Sequence, residues 1–198
     1  FQRVVYLYYS TFSAEMQARN GGTRRAARAS KKGKIRRAAF RLKTVLFVCH
    51  GNICRSPMAM FIFRELVRRA GKENELRAFS RATSTEETGN GLYPEALSEL
   101  RRRKIPVGPH AAMRMSPEDY RESDLVFGMD DANIRSLKRM TGGDPENKIR
   151  RLRDKSAHPG EVDDPWYTGD FETACRQIYE SCEALLRRLT REEAECRR

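Results

Sequence analysis

From residue 44 onward, apolar positions follow two patterns that alternate along the chain. Short runs rich in β-branched and aromatic residues predict buried strands at 44–48, 76–80, 125–129 and 148–152. Apolar residues spaced three and four apart predict helices at 58–70, 93–104, 131–140 and 171–189, and Ser116 is a candidate N-cap for a shorter helix. Alternating strands and helices indicate an α/β fold, a three-layer sandwich with a central four-stranded parallel sheet and helices on both faces.

The first 43 residues differ from the rest of the chain in charge. Residues 1–43 contain 12 Lys/Arg and one acidic residue, Glu15, whereas the remaining chain contains 27 Lys/Arg and 26 Asp/Glu. The formal net charge of +12 therefore arises almost entirely from this segment. We predict a basic, disordered N-terminal extension (1–43), a folded domain (44–190) and a charged C-terminal tail (191–198). The extension is either a tail of the protein or an upstream stretch outside its working part.

The folded domain is nearly neutral, which argues against a polyanion-binding surface. Nucleic acid is expected to bind, if at all, only through basic residues 1–43, and no aromatic residue interrupts the basic run from Arg24 to Arg37. No run of about 18 apolar residues is present, so we expect no contact with a membrane interior. The odd number of cysteines, five, and the lack of a visible secretory signal predict a cytoplasmic protein with reduced thiols.

The loop between the first strand and the first helix, Cys49–Arg55, has the composition of an anion-binding site. Backbone N–H groups in such a loop point inward, and the helix N-terminus behind them adds positive potential. Gly51 and Asn52 suit left-handed backbone angles, and the planar Arg55 guanidinium matches two phosphate oxygens. This setting favours the thiolate of Cys49 as a nucleophile. The alternative is a buried cysteine in a tight turn, with Arg55 on the surface.

Residues 48–57, Val-Cys-His-Gly-Asn-Ile-Cys-Arg-Ser-Pro, resemble the signature of low-molecular-weight protein tyrosine phosphatases, Cys-x-Gly-Asn-x-Cys-Arg-Ser-Pro. The resemblance extends from about Lys43 to Leu189. It implies an enzyme without metal or other cofactor that hydrolyses phosphotyrosine in proteins through a phosphocysteine intermediate. By the same resemblance Cys49 is the nucleophile and Arg55 binds phosphate. The other residues implied in the phosphate-binding loop are His50, Gly51, Asn52, Ile53, Cys54 and Ser56.

The resemblance also implies a general acid on a distant loop, because a phenolate leaves poorly unless it is protonated. Asp164 directly precedes Pro165 and matches the family acid, and Asp163 is the competing candidate. Proline restricts the preceding residue to extended backbone angles, which helps to hold the aspartate in place. Trp166 and Tyr167 are expected to line the mouth of the site and to stack on an aromatic substrate. A surface turn with ordinary packing is the alternative for this segment.

Several further positions match or depart from supporting residues of the family. The resemblance implies that Asn52, Ser80 and His110 form a hydrogen-bond network that holds the loop. It also implies that Asp130 is an acid near the site. Met60 stands where the family usually has Glu, and this departure concerns the stability of the helix start more than the chemistry.

The remaining cysteines bear on a related reaction and on redox behaviour. The resemblance implies a reversible disulfide between Cys49 and Cys54 that protects the nucleophile, and the alternative role of Cys54 is a small apolar filler. Thioredoxin-coupled arsenate reductases share the loop and fold but need a Cys-x6-Cys pair before the Asp-Pro. Cys175 and Cys182 have that spacing but follow Asp164 and fall on the apolar face of the last predicted helix. We therefore predict that both are core residues.

Other functions remain as alternatives to tyrosine phosphatase activity. Protein arginine phosphatases of the same family have Thr where Ile53 stands, and Ile leaves room for a phenyl ring, so phosphotyrosine is favoured. A non-catalytic phosphoprotein-binding module is disfavoured because Cys49, Arg55 and Asp164 occur together. We predict a protein tyrosine phosphatase, with the arginine phosphatase as the first alternative and the arsenate reductase and binding module as less favoured ones.

Overall fold

The computed structural model describes residues 42–196 as an alternation of strands and helices. Its elements are β1 (Lys43–Cys49), α1 (Arg55–Arg69), β2 (Leu76–Ala82), α2 (Pro94–Arg102), α3 (Pro117–Glu122), β3 (Leu125–Gly128), α4 (Asp131–Met140), β4 (Ile149–Arg151), α5 (Pro165–Thr168) and α6 (Phe171–Cys196). A turn of 3-10 helix, Leu152–Lys155, follows β4. Residues 1–41 of the predicted extension and 197–198 of the predicted tail lie outside the described residues.

The four strands form one parallel sheet in the order β2-β1-β3-β4, with Val45 of β1 opposite Ala78 of β2. Alternate side chains of β1 point to opposite faces of the sheet. Val45 and Phe47 pack in a core cluster with α1 and α6. Leu46 and Val48 pack in a second cluster with α3 and α4. Helices thus cover both faces, and the predicted three-layer α/β sandwich with a four-stranded parallel sheet is confirmed.

The strand order places a crevice at one edge of the sheet. The chain passes from β1 to β2 on one side and later to β3 on the other side of β1. Loops at the carboxyl ends of parallel strands separate at such a point and leave room for a ligand. Because β1 ends at Cys49, β2 at Ala82 and β3 at Gly128, the loops after these strands all begin at this edge.

Helix α1 begins three residues earlier than the apolar pattern predicts. The backbone N–H of Met58 already donates to the carbonyl of Cys54 at 3.1 Å, so Arg55 lies in the first turn. Met60, which departs from the family pattern, is buried with only 5% of its surface exposed. The Met60 side chain packs in the apolar core cluster, where a glutamate would be buried.

Helix α6 continues to Cys196, seven residues beyond the predicted end at Leu189. An ion pair between Arg188 and Glu192, at 3.7 Å, joins successive turns of this last part. Residues 191–196 of the predicted tail are therefore helical. Among the helices of residues 42–196, none is both long enough and apolar enough to cross a bilayer.

Candidate active site

The loop between β1 and α1 encloses the sulfur of Cys49. The strand ends at this cysteine, which is 4% exposed, and the helix begins six residues later. Asn52 turns the chain with a left-handed φ of 60°, a conformation that asparagine tolerates better than most residues. The N–H of Thr83 donates to the Cys49 carbonyl at 2.9 Å and so connects the loop to the end of β2.

A buried serine lies beside the sulfur. Ser56 Oγ is 3.1 Å from Cys49 Sγ, and it accepts a hydrogen bond from Asn52 Nδ2 at 2.9 Å. The same hydroxyl is 3.2 Å from the carbonyl oxygen of Arg81. Its single proton therefore has two acceptors within reach, the sulfur and this carbonyl.

The loop is held from behind by the segment that precedes α3. His110 Nε2 is 2.7 Å from the Asn52 carbonyl oxygen, so this nitrogen donates and carries the proton. The Asn52 side-chain oxygen accepts from the N–H of Met113 at 3.2 Å. Burial lowers the pKa of His110 below its usual value, and the imidazole is neutral at pH 7. Asn52 and His110 therefore form the contacts expected of them.

Ser80 does not join this network. Its side chain is 3% exposed, and its hydroxyl has no hydrogen-bond partner among the described residues. The prediction that Ser80 takes part in this hydrogen-bond network is therefore wrong. The contact with Ser56 is made instead by the backbone carbonyl of the next residue, Arg81.

Arg55 is 3% exposed, and its guanidinium donates three hydrogen bonds to acceptors of the protein. Nη1 donates to Asp130 Oδ2 at 2.7 Å and to the Val162 carbonyl at 3.3 Å, and Nη2 donates to Asp164. Burial alone would lower the pKa of Arg55, but the negative charges of Cys49, Asp164 and Asp130 raise it above its ordinary value. The guanidinium is therefore a permanent cation beside the sulfur.

The two candidate acids point in different directions. Asp164 is the N-cap of α5, and its Oδ1 accepts from the N–H of Trp166 at 3.1 Å while Oδ2 contacts Arg55. Asp163 is instead bound to Gln177, which donates from Nε2 at 3.0 Å and accepts from the Asp163 N–H at 2.9 Å. Only Asp164, of these two, contacts Arg55.

A pocket of about 210 Å³ opens above the sulfur. The lining residues are Cys49, His50, Gly51, Ile53, Cys54, Arg55, Glu86, Glu87, Asp164, Trp166 and Tyr167. Trp166 and Tyr167 are 58% and 85% exposed at its mouth. No group of three or more His, Cys, Asp or Glu side chains within residues 42–196 is arranged to hold a metal ion.

Four residues at the site have no signal in the sequence. Tyr93 packs edge-on against Trp166, with ring centroids 5.6 Å apart, and stacks on Phe171 at 5.5 Å. These rings support the α5 segment from below. Glu86 and Glu87 line the pocket from the segment after β2. All four lie on elements that only the tertiary fold brings to the loop.

Four cysteines are free thiols, Cys49, Cys54, Cys175 and Cys182. Cys54 lies in a small cluster with Ile53 and Ala112, and burial, with a further contribution from the neighbouring Cys49, raises its pKa to about 12. Cys175 and Cys182 are fully buried in α6, which confirms that they are core residues. The disulfide between Cys49 and Cys54 stays a prediction.

Comparison with known sequences finds relatives in one phosphatase family. A family model described as "Low molecular weight phosphotyrosine protein phosphatase" matches residues 44–195. The low molecular weight protein-tyrosine-phosphatase YfkJ of Bacillus subtilis is 39% identical over 152 residues, which cover 76% of this chain and 97% of that protein. The human low molecular weight phosphotyrosine protein phosphatase is 36% identical over 154 residues, covering 73% and 94%.

Solved structures agree with the sequence comparison. The crystal structure of YfkJ superposes with a TM-score of 0.73 over 77% of this chain and 97% of that one. A low molecular weight protein tyrosine phosphatase from Streptococcus pyogenes gives 0.68 at 36% identity, covering 75% and 93%. The Drosophila arginine phosphatase also gives 0.68, at 28% identity, covering 73% and 96%.

Proposed function

This chain belongs to the low-molecular-weight phosphotyrosine protein phosphatase family, and on that premise we propose that it hydrolyses phosphotyrosine in proteins by two-step phosphoryl transfer through Cys49. The observation that carries the proposal is the convergence of three groups on one pocket. Cys49 lies at its base, Arg55 beside the sulfur, and Asp164 in contact with Arg55. These are a nucleophile, a phosphate-binding cation and a proton donor for one reaction.

In the first step, Cys49 Sγ attacks phosphorus and the bond from phosphorus to the phenolic oxygen breaks. Arg55 and the N–H groups of the loop bind the oxygens of the transferring phosphoryl group, where negative charge accumulates. Asp130 keeps its bond to Nη1 and thereby orients the guanidinium. Asp164 transfers its proton to the phenolic oxygen, so that tyrosine leaves as a neutral phenol.

In the second step, water attacks the phosphocysteine and the bond from sulfur to phosphorus breaks. Asp164, now ionised, accepts a proton from the attacking water. The leaving thiolate of Cys49 is stabilised by the Ser56 hydroxyl, which lies 3.1 Å away. Phosphate then dissociates and the free thiolate is restored.

The proposal is tested by hydrolysis of para-nitrophenyl phosphate at mildly acidic pH with EDTA present. We expect turnover by the wild type and none above background by Cys49→Ser. Asp164→Asn is expected to lose about 10²–10⁴-fold in kcat, the usual contribution of general acid catalysis. Asp163→Asn is the matched control, because its carboxylate bonds to Gln177, and a smaller loss is expected. Absence of turnover by folded, reduced wild type would overturn the proposal.

Ile53 favours phosphotyrosine over phosphoarginine as the substrate. One structural relative is named an arginine phosphatase, so the two substrates need a direct comparison. Ile53 lines the pocket with a branched apolar side chain, which packs on a phenyl ring but offers no hydroxyl to a guanidinium group. We expect a higher kcat/KM for a phosphotyrosine peptide than for the matched phosphoarginine peptide, and a reduced preference in Ile53→Thr. A wild-type preference for phosphoarginine would reverse the assignment.

A further inference from the structure

The mouth of the pocket has two unlike sides. Trp166 and Tyr167 form an aromatic side, and Glu86 and Glu87 form a second side that we call the acidic wall. The side chain of Glu86 is 71% exposed to solvent and contacts His50, with 2.9 Å between Oε2 and Nε2. A peptide that inserts phosphotyrosine into the pocket therefore passes beside carboxylates.

The acidic wall is attached to the phosphate-binding loop by backbone hydrogen bonds. Ser84 donates its N–H to the His50 carbonyl at 3.1 Å, and its hydroxyl accepts from the N–H of Glu86 at 3.0 Å. On Glu87, the carboxylate accepts from Asn90 Nδ2 at 2.7 Å. These bonds fix the distance of the wall from the bound phosphate.

Gly51 of the phosphate-binding loop lies against Glu87 of the acidic wall. A Cβ atom at Gly51 would lie 3.0 Å from Cγ of Glu87, closer than side chains normally pack. Glycine at this position thus lets the side-chain stem of Glu87 approach the loop.

Negative charge continues around the other side of the mouth. A second cleft shares Arg55, Asp164 and Tyr167 with the pocket. It adds one cation, Arg135, and four carboxylates, those of Asp130, Asp131, Glu161 and Asp163. The guanidinium of Arg55 is turned inward to its acidic partners and to the base of the pocket. Carboxylates therefore outnumber guanidinium groups in this cleft by five to two, and this excess disfavours acidic peptides.

We propose that the acidic wall selects phosphotyrosine that is flanked by Lys or Arg and disfavours phosphotyrosine flanked by Asp or Glu. This inference rests on the proposed function and adds a substrate class to it. The phosphate is recognised at the base in either case, so the charges on the neighbouring residues decide the preference. The contacts are made at an exposed rim, where each charge pair contributes modestly and is weakened by salt.

The test compares two phosphotyrosine peptides that differ only in having Arg or Glu on both sides of the phosphotyrosine. The readout is the ratio of their kcat/KM values, because a loss of activity common to both peptides cancels in the ratio. At low ionic strength we expect wild type to prefer the Arg peptide about tenfold, and the Glu86→Gln/Glu87→Gln double variant only about threefold or less. Raising the salt concentration to about 0.5 M should also lower the wild-type preference for the Arg peptide, because salt screens the charges.

Glu122→Gln is the matched control. This exposed glutamate ends α3, two residues before Asp124, whose N–H donates to the carbonyl of Thr44 at the start of β1, so it lies at the opposite edge of the sheet. The control should keep the wild-type ratio. Hydrolysis of both peptides with a ratio below about twofold, or a double variant with the wild-type ratio, would overturn the inference alone. Failure to hydrolyse either peptide would overturn the proposed function and this inference with it.

Discussion

The carboxylate of Asp130 binds Arg55 and caps a helix at the same time. Its Oδ2 accepts from Arg55 Nη1 at 2.7 Å, and its Oδ1 accepts from the N–H of Asn133 at 2.6 Å in the first turn of α4. The orientation of the Arg55 guanidinium is thus connected to the start of α4. The two roles can be separated by substitution, because only one of them needs a charge.

Asp130→Asn is expected to keep the helix cap and weaken the hold on Arg55. Its side-chain oxygen still accepts from Asn133, so the free energy of unfolding in urea should stay within about 0.5 kcal/mol of wild type. The loss of charge should lower kcat/KM for para-nitrophenyl phosphate about tenfold. Asp130→Ala should show the same kinetic loss and also destabilise the protein by about 1 kcal/mol, the usual cost of an N-cap. Equal stability of the two variants would contradict the capping role.

The side chain of Asn52 is expected to support turnover, and its tolerance of a left-handed backbone is expected to support stability. Asn52→Gly keeps the left-handed φ of 60° but removes the bonds to Ser56 and Met113, so kcat should fall at least tenfold. Asn52→Ala removes the same bonds and adds about 1 kcal/mol of backbone strain, which should appear as a lower stability in urea. If Asn52→Gly retained the wild-type kcat, the network around the loop would not be needed for turnover.

Much of this fold is predictable because local patterns and tertiary packing agree. The apolar run of β1 is buried on both faces, as parallel central strands are, and its hydrophobic residues carry that information directly. Helix α4 has the predicted bounds, 131–140, and Asp130 precedes it as a cap. Ser116 caps α3 in a capping box with Asp119, which is a purely local interaction.

The rest of the site depends on contacts between distant segments. The acidic wall and the rings of Tyr93 and Phe171 lie on turns and helix ends whose patterns carry no chemical signature. The resemblance places Ser80 beside the loop, yet the backbone carbonyl of Arg81, not the Ser80 hydroxyl, contacts Ser56. A resemblance in sequence identifies such a position but not which of its atoms faces the site.

His110 should make stability depend on pH in a defined window. Burial lowers its pKa below the ordinary value of about 6.5, so the unfolded chain binds a proton more readily than the folded protein. Its stability contribution is therefore complete above about pH 6.5 and is lost as the pH falls toward the lower, folded-state pKa. The free energy of unfolding in urea should thus fall more between pH 7 and pH 5 in wild type than in His110→Gln. His158→Gln, at an exposed histidine, is the matched control and should behave as wild type.

Cys49 should differ sharply from Cys54, Cys175 and Cys182 in its reaction with iodoacetamide at pH 7. Alkylation requires the thiolate, and burial raises the pKa of Cys54 to about 12 and that of Cys175 and Cys182 above the ordinary value. Cys49 and Cys54 both line the open pocket, but the raised pKa keeps the Cys54 thiol protonated. Mass spectrometry of reduced native protein should therefore find Cys49 modified while these three are not. Inorganic phosphate should slow the modification by occupying the same pocket.

Two controls separate reactivity from accessibility in this experiment. Native Cys49→Ser should leave Cys54, Cys175 and Cys182 unmodified, and the same protein in urea should show all three modified, because unfolding restores ordinary thiols to solvent. Modification of native Cys54 as fast as Cys49 would contradict its burial beneath the loop. Unchanged labelling of Cys49 in the presence of phosphate would instead contradict the proposal that its sulfur lies at the base of the phosphate-binding pocket, because a bound phosphate would cover it.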